Sequence, residues 1–123
     1  MAGPPEHEKL VAYRRAIELA GALERIAQAV PARRADLADQ LRRASASIPL
    51  NLAEGAGEFS PSEKARFYRM ARRSASECSA ALDVLDATVA PRVLGGIGEA
   101  KTSLREIGAM LTALIKVVED RKR

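Results

Sequence analysis

The sequence predicts an all-α fold, an antiparallel up-down-up-down four-helix bundle, on two observations. Four long segments carry apolar residues at alternating spacings of three and four, which gathers them on one stripe of a helix. The breaks between segments are short and marked by proline, glycine or a capping box, so consecutive helices must fold back on one another. With 123 residues, 47% of them hydrophobic and 29% charged, the chain is long enough to bury a core and reads as one domain over 1–123.

The first helix is expected over residues 6–30, after a flexible lead at 1–5 that contains Gly3, Pro4 and Pro5. Its core stripe is Ala16, Leu19, Leu23, Ile26 and Val30. Leu10, Tyr13 and Ile17 form a second apolar stripe at a large angle to the first. Two readings compete for that stripe: it covers an end of the bundle, or it touches another subunit. Pro31 ends the helix.

The second helix, over 32–56, has Leu37, Leu41, Ala44, Ile48, Asn51 and Gly55 in one heptad seam. Pro49 lies inside it and reads as a kink, because an interior proline removes the bond to the carbonyl of Ser45 and clashes with it. Asn51 is a polar residue in an apolar stripe, and such a residue commonly sets helix register or oligomer state. Gln40, Ser47 and Glu54 occupy the adjoining strip. Together with Asn51, and with Glu77 on the next helix, they read as a structural or oligomer-forming polar network. A catalytic site is the competing reading, but nothing here pairs a nucleophile with a base.

Gly55 and Gly57 are expected to close the second helix, with glycine taking the left-handed turn of a C-terminal cap. Ser60-Pro61-Ser62-Glu63 is a capping box with proline at the first helical position, so the third helix starts there. Its seam is Phe67, Ala71, Ser74, Cys78, Ala81, Leu85 and Thr88, flanked by Met70 and Leu82. Most of these side chains are small, which allows close helix approach, and Cys78 reads as a buried packing residue. Pro91 and the pair Gly95-Gly96 mark the last loop. The fourth helix follows to about residue 120, with Ile97, Ala100, Leu104, Ile107, Leu111, Leu114 and Val118 as an unbroken stripe. Gly108 within it reads as a close helix crossing, and 121–123 as a frayed tail.

The stretch over residues 42–58, with its continuation through Ser60, is an unusual signature: R-x-x-x-S-I-P-x-N-x-A-E-G, then S-x-x-E and a new helix. Carried by Arg43, Ser47, Ile48, Pro49, Asn51, Ala53, Glu54, Gly55 and Gly57, then Phe67, Ala71, Ser74 and Glu77, it resembles a four-helix-bundle family. That family includes the proteins encoded in intervening sequences of bacterial 23S ribosomal RNA genes. Leu10, Tyr13 and Ala16 fit its opening, and the resemblance spans about residues 7–119. Glu58 stands where the family often has a basic residue, and Arg73 where it often has glycine. The resemblance implies the same bundle architecture and, from characterised members, a homopentamer. It also implies an RNA context, since relatives include accessory proteins of diversity-generating retroelements, where a bundle assists a reverse transcriptase on its RNA.

Charge narrows the function. Residues 42–73 hold seven Lys or Arg against three Glu, an excess equal to the +4 of the whole chain. Arg66, Arg69 and Arg73 share one face of the third helix with Arg72 beside them, and Arg42 and Arg43 lie on the second helix. One reading is a solvated helix face with pairs such as Arg73 and Glu77 at i, i+4. The other is a footprint for RNA or DNA, read through phosphates and shape because two Phe, two Tyr and no Trp leave little for base stacking. An enzyme is not expected. The sole histidine is His7, so neither a di-iron bundle nor a triad can be assembled, and no Walker-type loop is present. No metal or cofactor is expected. One cysteine excludes an internal disulfide, and no apolar run nears the ~18 residues that cross a bilayer. A cytoplasmic location is expected from these features and from the lack of a secretory pattern at the start. The resulting expectation is a noncatalytic oligomeric adaptor that binds nucleic acid. The alternative is a protein-interaction module whose basic face meets an acidic protein.

Overall fold

A computed structural model describes His7 and residues 10–121 of the chain. Among these residues four long helices occur: α1 (Val11–Ala29), α2 (Ala35–Gly57), α3 (Pro61–Thr88) and α4 (Ile97–Asp120). A single turn of 3-10 helix, Ala32–Arg34, precedes α2. Contacts run α1 to α2, α2 to α3, α3 to α4 and α4 back to α1, so the helices occupy the corners of a square. This is the four-helix bundle that the periodicity predicts. The expected lead at 1–5, and residues 122–123 of the expected tail, lie outside the described residues.

Helix α1 starts later than its apolar pattern suggests. Leu10 is extended (φ −80°, ψ 125°) and packs partly buried against the core. Continuing the helix back through Leu10 would turn its side chain roughly 150° from the centre of the buried face, so leaving the helix is what brings it inward. His7 sits just before, its ring edge-on to Tyr13 at 4.8 Å. At the other end Val30 is extended, as a residue before proline prefers, and α1 stops.

Helix α2 runs unbroken through Pro49, which is buried among the core residues. The proline is therefore interior, as expected, and not a terminus. The expected left-handed glycine cap is absent, because Gly96 is the one glycine with positive φ among the described residues. A side chain supplies what that cap would have done: Lys64 Nζ of α3 donates to the Gly55 carbonyl at 3.1 Å and the Ala56 carbonyl at 2.9 Å. Gly55 serves a different purpose, since a Cβ there would lie 2.6 Å from the Tyr68 ring.

The serine half of the predicted capping box forms: Ser60 Oγ accepts from the Glu63 backbone N–H at 3.4 Å, with Pro61 opening α3, while the Glu63 carboxylate pairs with Arg66 at 2.8 Å. Cys78 is fully buried. Val89 and Leu94, in the connection to α4, are buried and close that end of the core. Gly96 (φ 82°) then starts α4. The reading of Gly108 as a close crossing is not upheld. A Cβ there would meet nothing within 4 Å, and the residue borders an open groove between α3 and α4.

The core is continuous from Ala12 to Val118 and contains residues of all four helices. No helix among the described residues is long and apolar enough to cross a membrane.

Candidate nucleic-acid interface and the adjoining polar cluster

The basic residues of α3 divide by the face they occupy. Arg66, Arg69 and Arg73 follow the i, i+3, i+7 spacing of one helix face, and all three are exposed. Arg66 lies 2.8 Å from Glu63, with its guanidinium 4.5 Å from the centre of the Phe67 ring. Arg69 reaches across to Glu119 of α4 at 2.8 Å. Arg73 is the freest of the three, 85% exposed and only 3.9 Å from Glu77 at its nearest. Arg72 is half-buried in the groove between α3 and α4, where it donates to Thr112 Oγ1 at 3.3 Å.

The two arginines of α2 diverge. Arg42 turns towards α1 and pairs with Glu24 at 2.9 Å, with Asp39 3.6 Å away. Arg43 turns towards α3 and borders a shallow hollow with Gln40, Ser47, Ser74 and Glu77. Arg43 and Arg73 therefore flank the α2–α3 seam, whereas Arg42 stands on another side of the bundle. The six arginines do not form one compact cluster. What the fold does assemble is a row along α3 with Arg43 at its edge. The carboxylates within that row are held in exposed pairs, which contribute about 0–1 kcal/mol each and so exchange readily for a phosphate.

The polar strip of α2 becomes a small hydrogen-bonded cluster centred on Ser47. Ser74 Oγ of α3 donates to Ser47 Oγ at 2.8 Å. Asn51 Nδ2 donates to the same Oγ at 2.8 Å and to the Ser47 carbonyl at 2.9 Å. The amide in the seam is thus satisfied by its own helix and lies one step from the neighbouring one. Gln40 and Glu77 border the same hollow, while Glu54 is exposed on α2 without an ion pair among the described residues. Ser74 is the member that sequence reasoning placed in the seam but not in the polar set. Its position opposite Ser47 depends on how α2 and α3 meet, which periodicity alone does not specify.

Nothing in this cluster is arranged as a nucleophile with its base. His7, the sole histidine, packs against Tyr13 near the start of α1. Burial, reinforced by the charge of Glu77, pushes the Cys78 thiol up to about 12, so at neutral pH it stays protonated. Among the described residues no group of three or more His, Cys, Asp or Glu is placed to hold a metal ion.

Large apolar side chains are also exposed. Phe59, in the short connection between α2 and α3, is 99% exposed, and Leu50 is 64% exposed on the outer side of α2. Ile17, from the second stripe of α1, is 48% exposed, whereas Leu10 and Tyr13 are partly buried against the core. Leu10 and Tyr13 of the second stripe therefore cover the core, and Ile17 is left exposed.

Comparison with known proteins bears on this arrangement. A family model described as 23S rRNA-intervening sequence protein matches residues 8–113. The fold is similar to a crystal structure of a protein with unknown function from the S23 ribosomal protein family of Bacteroides thetaiotaomicron. The TM-score is 0.75 at 19% sequence identity, covering 86% of this chain and 96% of that one. No curated protein matches the chain.

Proposed function

The chain belongs to the 23S rRNA-intervening sequence protein family, and from that premise we propose that it is a noncatalytic, self-associating adaptor that binds nucleic-acid phosphates. The observation that carries the reading is the row of Arg66, Arg69 and Arg73 on the outward face of α3, extended at the α2–α3 seam by Arg43. At about 1.5 Å of rise per residue, Arg66 and Arg73 stand roughly 10 Å apart along the helix, a span that covers neighbouring phosphates. Phe67, the aromatic ring within the row, is already covered by Arg66, so contact is with backbone and shape in preference to base identity.

Self-association strengthens the reading. The family resemblance implies a homopentamer, and about five copies would raise +4 per chain to about +20 per particle. Weak phosphate contacts repeated on one particle then add up to useful affinity. Exposed Ile17, Leu50 and Phe59 provide apolar surface for subunit contact. The polar network of Ser47, Asn51 and Ser74, with Gln40 and Glu77 beside it, supports a structural role at the α2–α3 seam. A cytoplasmic setting agrees with the single buried cysteine.

The test is retention of single-stranded and duplex RNA and DNA by wild-type protein and by a variant with Arg66, Arg69 and Arg73 changed to glutamate. Binding that weakens steeply with salt in the wild type, and disappears in an equally assembled variant, is the expected result. Equal binding by the variant rejects this face. The interleaved Glu63, Glu77 and Glu119 favour a second reading, a module that docks on a protein surface of mixed charge with an acidic bias. No nucleic-acid binding by the wild type at low salt would select it.

A further inference from the structure

The bundle carries an apolar projection and an apolar recess at the same end, on opposite flanks. The recess lies between α1 and α4, lined by Leu10, Val11, Met110, Ala113, Leu114 and Val117, with a volume of about 360 Å³. Val11 and Val117 remain 53% and 50% exposed there, so nothing among the described residues covers them. The projection is Phe59, 99% exposed in the connection between α2 and α3. In an up-down bundle the start of α1, the end of α2, the start of α3 and the end of α4 share one end. In the square arrangement the α1–α4 side is opposite the α2–α3 side.

From this placement we infer that Phe59 of one copy seats in the α1–α4 recess of a neighbouring copy, in a head-to-tail contact between bundles with roughly parallel axes. Charge agrees with that pairing. Glu58 precedes Phe59, and Arg121 lines the hollow that continues the recess past Leu114 and Val117; neither has an ion pair among the described residues. Projection and recess are different surfaces, so the contact is heterologous: each copy gives one and receives one, and repetition closes a ring or runs on as a filament. Residue chemistry explains the need for cover. A phenylalanine in water and an open apolar recess both gain by leaving water, and a second copy of the chain supplies both at once.

The inference rests on the self-association proposed above, and its test separates the two. Sedimentation equilibrium of the wild type and of Phe59→Ser measures assembly, with circular dichroism confirming that the variant, altered at a side chain that touches nothing in its own bundle, keeps its helices. A chain carrying Phe59→Cys, mixed under mild oxidation with a chain carrying Ala113→Cys, locates the contact, and the buried Cys78 stays out of the reaction. The expected result is assembly of the wild type, association roughly tenfold to a hundredfold weaker in F59S, and a disulfide between the two mixed chains. Equal assembly of F59S, including the case where residues of the same chain cover the recess, overturns the projection-and-recess contact while leaving self-association standing. Weakened assembly without the disulfide overturns the recess as the docking place. A wild type that is monomeric across micromolar concentrations overturns both.

Discussion

Tyr68 lies so close to Gly55 that a single methyl group separates a tolerated from a damaging change. A Cβ on Gly55 would stand 2.6 Å from one ring carbon of Tyr68 and 3.2 Å from Phe67 Cβ, whereas one on Gly57 would meet nothing within 4 Å. Gly55→Ala is expected to lose about 1–3 kcal/mol in urea unfolding through overpacking, and Gly57→Ala to lose little or to gain a few tenths. Indistinguishable midpoints for the pair would contradict the close approach. Cys78 makes a second prediction. Its thiol ionises near 9 when exposed and at about 12 when folded, so between those values the unfolded chain has released a proton that the folded chain retains. Stability contributed by the protonated thiol is complete below about 9 and declines as pH rises towards 12. Unfolding free energies measured across that window should fall less steeply in Cys78→Ala, once its constant offset from the cavity is subtracted. Burial of Tyr68 raises its own pKa in the same direction, so part of the slope remains in the variant.

Helix ends show how neighbouring elements complete one another. The terminal carbonyls of α2 are held by Lys64, a residue of α3, and one first-turn amide of α3, that of Glu63, by Ser60 just before it. Replacing Lys64 with methionine keeps most of the stem but removes the donors, and should cost roughly 3 kcal/mol, since a hydrogen bond involving a charged group is worth about 1.5–3 kcal/mol and two are lost. Ser60→Ala should cost about 1 kcal/mol and speed amide exchange at Glu63. Exchange at Glu63 unchanged in S60A would mean the capping bond contributes nothing in solution. The same pairing logic explains Pro49: its missing donor is tolerated because the proline ring is buried in a helix packed on both sides, so tertiary contact offsets a defect that an isolated helix would not withstand.

At the scale of the molecule, the four helices share one core but leave apolar surface that no described residue covers at Phe59, Leu50, Ile17 and the α1–α4 recess. A chain that hides such surface by association gains stability with concentration. The thermal midpoint of the wild type should therefore rise as protein concentration rises through the association range, and stay flat for a monomer. The proposed phosphate contacts of the arginine row add a separate expectation: high salt should weaken any nucleic-acid retention while leaving the proposed apolar contacts between copies intact.

Helix number, the start of α3 at Ser60, most of each core stripe and the burial of Cys78 were readable in the linear chain, because each depends on residues within one or two turns of each other. The interior position of Pro49 was readable for the same reason. The edges of the stripes were not, since Thr88 is exposed and Phe67 and Leu114 are only partly buried, while Tyr68 and Ile115 are buried instead. What periodicity could not reach were the meetings between helices. Leu10 leaves α1 to reach the core, Lys64 replaces a glycine cap, Gly55 makes room for Tyr68, and Gly108 borders an open groove. Arg42 and Arg43, adjacent in sequence, part company because a helix turns about 100° per residue and sends one to α1 and the other to α3. Ser74 joins Ser47 across the seam although it lies 27 positions further along the chain. Local propensity and hydrophobic spacing operate along the chain, so the sequence alone determined which segments become helices and which face each one buries. The partners of each polar side chain follow from the rotation and register of packed helices, which only the tertiary structure decided.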